Sequence, residues 1–316
     1  VQRPIERQRG LENVRPLQET NDAYQAPSMV QRGIDREGSV SAINGPGTIP
    51  GTWQIYWRRG DDMKILSSIL KSIKEDAPVQ EVRRGLNWTA VVSKHCGLAS
   101  TMANGHCCQG EEPGAIEGSF TEMTALELAR YSLARGTGKI SLGLAAINSL
   151  LDIEPDKYTG VDGLKLVEDV CAEKNISVIG HFPYLEELAK KARNLWIIEK
   201  QPRPGDFPEA RGNDLIPQSD IVVISSTTLI NDTLPGILDL CKKGSVKMLL
   251  GPSTPLSDVL FDYGIDVLAG SVVTDVDKVL KSVGEGASFL QLKKRGGVQF
   301  VNIIKDYDDI VRRLAG

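Results

Sequence analysis

The sequence is sparing with the residues that most directly announce chemistry. Among 316 residues there are three histidines and five cysteines, and aromatic residues make up only 5%. Five thiols is an odd number, so at least one cannot pair within the chain. With no secretory signal pattern visible, reduced thiols in a cytoplasmic protein are the expectation. No apolar run approaches the ~18 residues of a membrane span, so no membrane partner is expected. The formal charge is -4, without the basic excess of a nucleic-acid footprint, so no nucleic-acid partner is expected either. A Walker loop, a zinc-protease helix and a nucleophile–histidine–acid set are all missing. So is any internal repeat.

What remains is ordinary globular material, 41% hydrophobic and 25% charged, at a length that suggests about two domains. Residues 1–62 differ from the rest. Gln, Arg, Pro and Gly recur there, and SAINGPGTIPGT (41–52) is nearly all turn formers. They read as a disordered or extraneous extension, in which Trp53, Tyr56 and Trp57 could dock on a surface. The folded protein should begin near Met63. Residues 63–155 read as a small α+β unit: an amphipathic helix (MKILSSILKSIKED), a strand over 79–92, a turn at SKHCG and a returning strand over 98–102. A glycine-rich loop, a helix to about Ala134 and a buried helix over 140–151 follow.

Residues 156–316 alternate apolar strand runs with amphipathic helices, the pattern of a mostly parallel sheet covered on both faces. Its opening unit is ISVIGHFPYLEELAKKARNLWIIEKQP (176–202): strand, crossover helix, strand. Glu199 follows Gly180 by 19 residues, close to the ~20-residue offset of a ribose-binding acid, although the turn carries one glycine where a dinucleotide fingerprint has three. Further strands are expected at 220–225, 246–250, 265–269 and 298–303.

Polar residues gather after each strand. They are Gly180, His181 and Phe182; then Glu199 through Asp206; then Ser226, Thr227, Thr228, Asn231 and Thr233; then Gly251, Pro252, Ser253 and Thr254; then Gly270. Each cluster alone reads as helix caps and turns. Parallel strands end on one common edge, so five clusters together point to a ligand site of hydroxyls, backbone N–H groups and helix starts. From the first unit, the 97–101 segment and Glu122 are placed to reach across.

Several of these segments resemble the "putative heavy-metal chelation" family: IGHFPYLEEL, EKQPRPGDFPE, SDIVVISSTTLINDTL, LLGPSTPLSDVLFDYGIDVLAGSVV and EGASFLQLKKRGGVQFVNI. GLNWTAVV, GLASTM and KISLGLAAIN are similar to the small domain that precedes them in that family. The resemblance covers about 63–303. It implies an α/β fold, with a Rossmann-like mostly parallel sheet preceded by a small α+β, enolase-N-terminal-like domain. It also implies a site for a small anionic or metal-bearing ligand between the two, in a protein that handles metals or metal compounds. The alternative reading is a nucleotide- or S-adenosylmethionine-dependent enzyme, so NAD and S-adenosylmethionine stay open as cofactors beside a metal ion. Reaction type and homo-oligomerisation stay open too. As metal ligands, His95 with Cys96, and His106 with Cys107 and Cys108, have the donor types for a soft ion but match no zinc-finger spacing.

Overall fold

The computed structural model describes residues 64–102, 119–134, 136–152, 154–158, 163–183 and 185–315. A three-stranded antiparallel sheet comes first: β1 (Glu81–Arg84), β2 (Trp88–Val92) and β3 (Cys96–Ser100), in that order. The single strand expected over 79–92 is therefore a hairpin. Its turn, Gly85-Leu86-Asn87, presses on the helix Val276–Gly284. A Cβ on Gly85 would lie 2.0 Å from the carbonyl oxygen of Val283, so only glycine fits there. The helix Thr137–Leu150 covers this sheet and is buried around most of its circumference. Glycine again allows the approach, because a Cβ on Gly97 would stand 2.1 Å from the Ala145 carbonyl oxygen.

The second sheet has seven strands: β4 (Asn175–Ile179), β5 (Asn194–Glu199), β6 (Phe207–Pro208), β7 (Ile221–Ser225), β8 (Val246–Leu250), β9 (Val267–Val273) and β10 (Val298–Ile304). Their order is β10-β9-β8-β7-β4-β5-β6, parallel throughout except for β10, which runs antiparallel to β9. Consecutive residues of β7 serve opposite faces. Val222 and Ile224 join the core that also holds Ile65, Leu144 and Leu249, while Ile221 and Val223 join Val178, Met248 and Ile310. Burial on both faces explains why these strands read as unbroken apolar runs.

Two further differences bear on the site. The fifth expected strand runs on to Val273, so Gly270 and Ser271 lie inside β9, opposite Val301 and Phe300, and not in a loop after it. Pairing with β10 extends β9 through small residues whose local pattern resembles a turn. The helix Phe289–Arg295 was not anticipated; Ser288 and Gln291 close its start with a capping box.

Both sheets belong to one compact unit and are joined by specific bonds. The Ser100 amide donates to Ser253 Oγ at 2.8 Å, and Asn148 Nδ2 donates to the carbonyls of Leu98 (2.8 Å) and Ser253 (3.2 Å). Asn87 Nδ2 donates to the carbonyl of Gly286 at 3.0 Å. Among the described residues no helix is long and apolar enough to cross a membrane.

Candidate functional site

The chain leaves β4 for β5 on one side, then returns to β7 on the other. The strand order thus reverses between β4 and β7, and the carboxyl ends of two such strands leave a crevice between their outgoing loops. β4 runs into Gly180, whose φ of 105° is one that glycine adopts freely. His181 and Phe182 follow. β7 ends at Ser225 and enters the short 3-10 turn Ser226–Leu229. That turn ties itself together: Ser225 Oγ and Thr227 Oγ1 are 2.8 Å apart, and Thr228 Oγ1 donates to the Ser225 carbonyl at 2.7 Å.

His181, Phe182, Ser225 and Thr227 form a partition, each lining two adjoining hollows. The first, of about 430 Å³, is largely apolar, with Trp88, Phe289, Phe300 and Leu250 in its wall and Lys165 and Glu168 among its polar groups. The second, of about 550 Å³, is more polar, lined by Glu199, Lys200, Arg203, Thr228, Asn231 and Thr233 among others. Thr233 Oγ1 donates to Asn231 Oδ1 at 2.7 Å, which fixes that amide at the rim.

Most of the expected ligand residues meet here. Gly180, Glu199, Thr228, Asn231 and Thr233 face the second hollow; Ser226, Gly251, Pro252 and Gly270 face the first. Gly251 has a φ of 138°, and a Cβ on it would come within 2.5 Å of Ser226 Oγ, so the two walls touch there. Three expected residues stand behind the lining. Ser253 is fully buried and engaged with Ser100. Thr254 is buried beside it, its hydroxyl without a partner among the described residues. Asp206 faces neither hollow; its side chain is 4% exposed, and Oδ2 lies 3.4 Å from His181 Nδ1 while accepting the Arg203 amide at 3.0 Å. Ser100, in the segment expected to reach across, does line the first hollow, whereas Glu122 sits on a separate 3-10 turn and lines neither.

The aromatic wall is not legible in the sequence. Trp88 comes from the three-stranded sheet, Phe289 from the unanticipated helix and Phe300 from the antiparallel β10. Only packing brings them together, and no local pattern marks them.

The thiol reading fares differently. Cys96 is buried beside Trp88 and Leu98, and burial, with the Glu81 charge adding, pushes its thiol up to about 12. It is therefore protonated and poorly disposed to bind a metal. His95 lies in the turn before β3, while His106, Cys107 and Cys108 lie outside the described residues. Burial pushes the Cys241 thiol up to about 11. Among the described residues no group of three or more His, Cys, Asp or Glu is arranged to hold a metal ion.

Two family models, each described as "Putative heavy-metal chelation", match residues 67–151 and 162–302. A protein of Methanocaldococcus jannaschii, itself described as uncharacterized, is 33% identical over 147 residues, 44% of this chain and 57% of that one. The chain thus spans little more than half the length of this curated relative. A crystal structure of a protein of unknown function from the DUF364 family, from Desulfitobacterium hafniense, superposes with a TM-score of 0.67 at 26% identity, over 77% of this chain and 98% of the other. A second from that family, from Pyrococcus horikoshii, gives 0.65 at 21% identity over 77% and 99%, and it speaks to the fold alone.

Proposed function

The chain belongs to the family described as "Putative heavy-metal chelation", and from that premise we propose that it binds a small anionic or metal-bearing ligand where β4 and β7 end. The observation that carries this reading is the partition of His181, Phe182, Ser225 and Thr227, shared by a largely apolar hollow and a more polar one. A metal bound there would come with its own donors. The described residues hold no cluster of side chains sufficient for a bare soft ion, but they offer hydroxyls, an amide and the cationic side chains of Lys200 and Arg203 to the anionic groups of a chelate. The apolar hollow suits an organic body attached to those groups. Nothing at the edge favours a dinucleotide over this, since the β4 turn lacks two of the three fingerprint glycines.

Differential scanning fluorimetry tests the proposal, using zinc citrate beside citrate alone. The full chain should be stabilised by several degrees at saturating chelate. A Thr227→Ala/Asn231→Ala variant should lose that shift. An equal shift in the double variant, or none in the parent chain, would remove the reading.

A further inference from the structure

His181 is the imidazole at the partition, and its surroundings resemble those of a working ligand more than those of a packing residue. The side chain is 29% exposed and borders both hollows, while the Asp206 carboxylate, 4% exposed, sits 3.4 Å from Nδ1. Asp206 is itself held in place, accepting the Arg203 amide at 3.0 Å. A carboxylate this close to Nδ1 favours the ring orientation that turns Nδ1 toward Asp206 and leaves Nε2 on the far side of the ring. Such outer partners accompany metal-bound histidines almost without exception. Here, however, the second and third protein donors of a resident metal site are missing among the described residues.

We infer that His181 Nε2 supplies a single coordination bond to a metal that arrives already chelated, with Asp206 as its positioning residue; the ligand class is a metal chelate keeping one exchangeable coordination position. The inference rests on the binding site proposed above and specifies its chemistry. Nε2 donates its lone pair, a water leaves the metal, and the proton on Nδ1 stays facing Asp206, so no redox change or proton release is involved. The hydroxyl of Thr227, the Asn231 amide and the cationic side chains of Lys200 and Arg203 would meet the chelator's oxygens. One bond to the metal and several to the chelator would let the site release its cargo more readily than a closed three-ligand site.

The test uses the untagged full chain with copper(II) oxydiacetate, whose donors are all oxygen and which leaves a water-occupied position. Electron spin echo envelope modulation reads the remote nitrogen of a coordinated imidazole. The expected result is saturable binding of one equivalent with the modulation of one imidazole. His181→Gln should abolish the modulation, and free imidazole added to His181→Gly should restore it. Asp206→Asn should keep it while weakening affinity about 10–100-fold. Copper(II) ethylenediaminetetraacetate, whose positions are filled, should bind without it. Modulation that persists in His181→Gln overturns the assignment, as does chelate bound to the parent chain with no modulation. If such binding is lost in Thr227→Ala/Asn231→Ala, the site survives and only the donor role falls. If no chelate binds the parent chain at all, both fall together.

Discussion

The two edges of the seven-stranded sheet are built from opposite kinds of polar chemistry. At the amino edge, charges meet charges. Asp220 accepts the Asn175 amide at 2.8 Å and pairs with Lys242 Nζ at 2.7 Å. Asp266 accepts the Lys247 amide at 2.8 Å and takes Arg313 Nη2 at 2.6 Å, while Arg313 Nη1 also donates to the Ser245 carbonyl at 3.0 Å. These groups close strand starts and dock the C-terminal helix Tyr307–Ala315. At the carboxyl edge, small hydroxyls and glycines face two hollows, and the charged residues Glu199, Lys200 and Arg203 line one of them. One edge uses its polar groups for stability. The other turns small polar groups, several of them bonded to one another, toward open space.

The comparison breaks if substitutions at the two edges behave alike. The largest effect is expected at Asp266, which is buried, with partners that are only partly exposed. Asp266→Ala removes the carboxylate shared by Arg313 and Lys247, leaving Arg313 only the Asp309 carboxylate, and should cost about 3 kcal/mol. Urea denaturation measures this, and chelate binding at the far edge should be unchanged in the folded variant. Next comes Gly251→Ala, which combines a φ of 138° with a 2.5 Å approach to Ser226 Oγ. It should cost about 2 kcal/mol and, unlike Asp266→Ala, should also weaken binding.

Asp220 sharpens the contrast through pH. Burial alone would raise its pKa, but the hydrogen bonds from Lys242 and the Asn175 amide and the charge of Lys242 outweigh burial and hold it below the usual carboxylate range. A carboxyl depressed in the folded state stabilises above its unfolded pKa, and that contribution is lost as pH falls through the folded value. Asp220→Asn should therefore be less stable by about 1 kcal/mol near neutrality, with the gap closing in acid. Urea midpoints at pH 7 and pH 3 check this; a gap that widened in acid would contradict it. The smallest stability effect is expected for Thr227→Ala/Asn231→Ala. These side chains sit at the rim, so the change should stay within about 1 kcal/mol while ligand binding is lost.

The strands were legible because burial on both faces demands unbroken apolar runs, and their shared edge followed from strand–helix alternation. That sufficed to bring Gly180, His181, Thr227, Asn231 and Gly251 to one place. Residues whose position depends on long-range packing were not legible. Gly85 and Gly97 sit where backbones from distant segments press together, at Val283 and Ala145; in the sequence Gly85 is only a glycine in a strand run and Gly97 the end of a turn. Ser253 looked like a ligand group because it follows a strand, yet it is the bolt between the two sheets. Trp88, Phe289 and Phe300, far apart in the chain, form the apolar wall. Asp206, seen as a ligand for its charge, stands one shell back, beside His181.

Anomalous diffraction from crystals soaked with copper(II) oxydiacetate would locate the bound chelate itself. The account predicts one strong copper peak between the carboxyl ends of β4 and β7, within bonding distance of His181 Nε2. A fully occupied copper site elsewhere on the protein, with the two hollows empty, would contradict it.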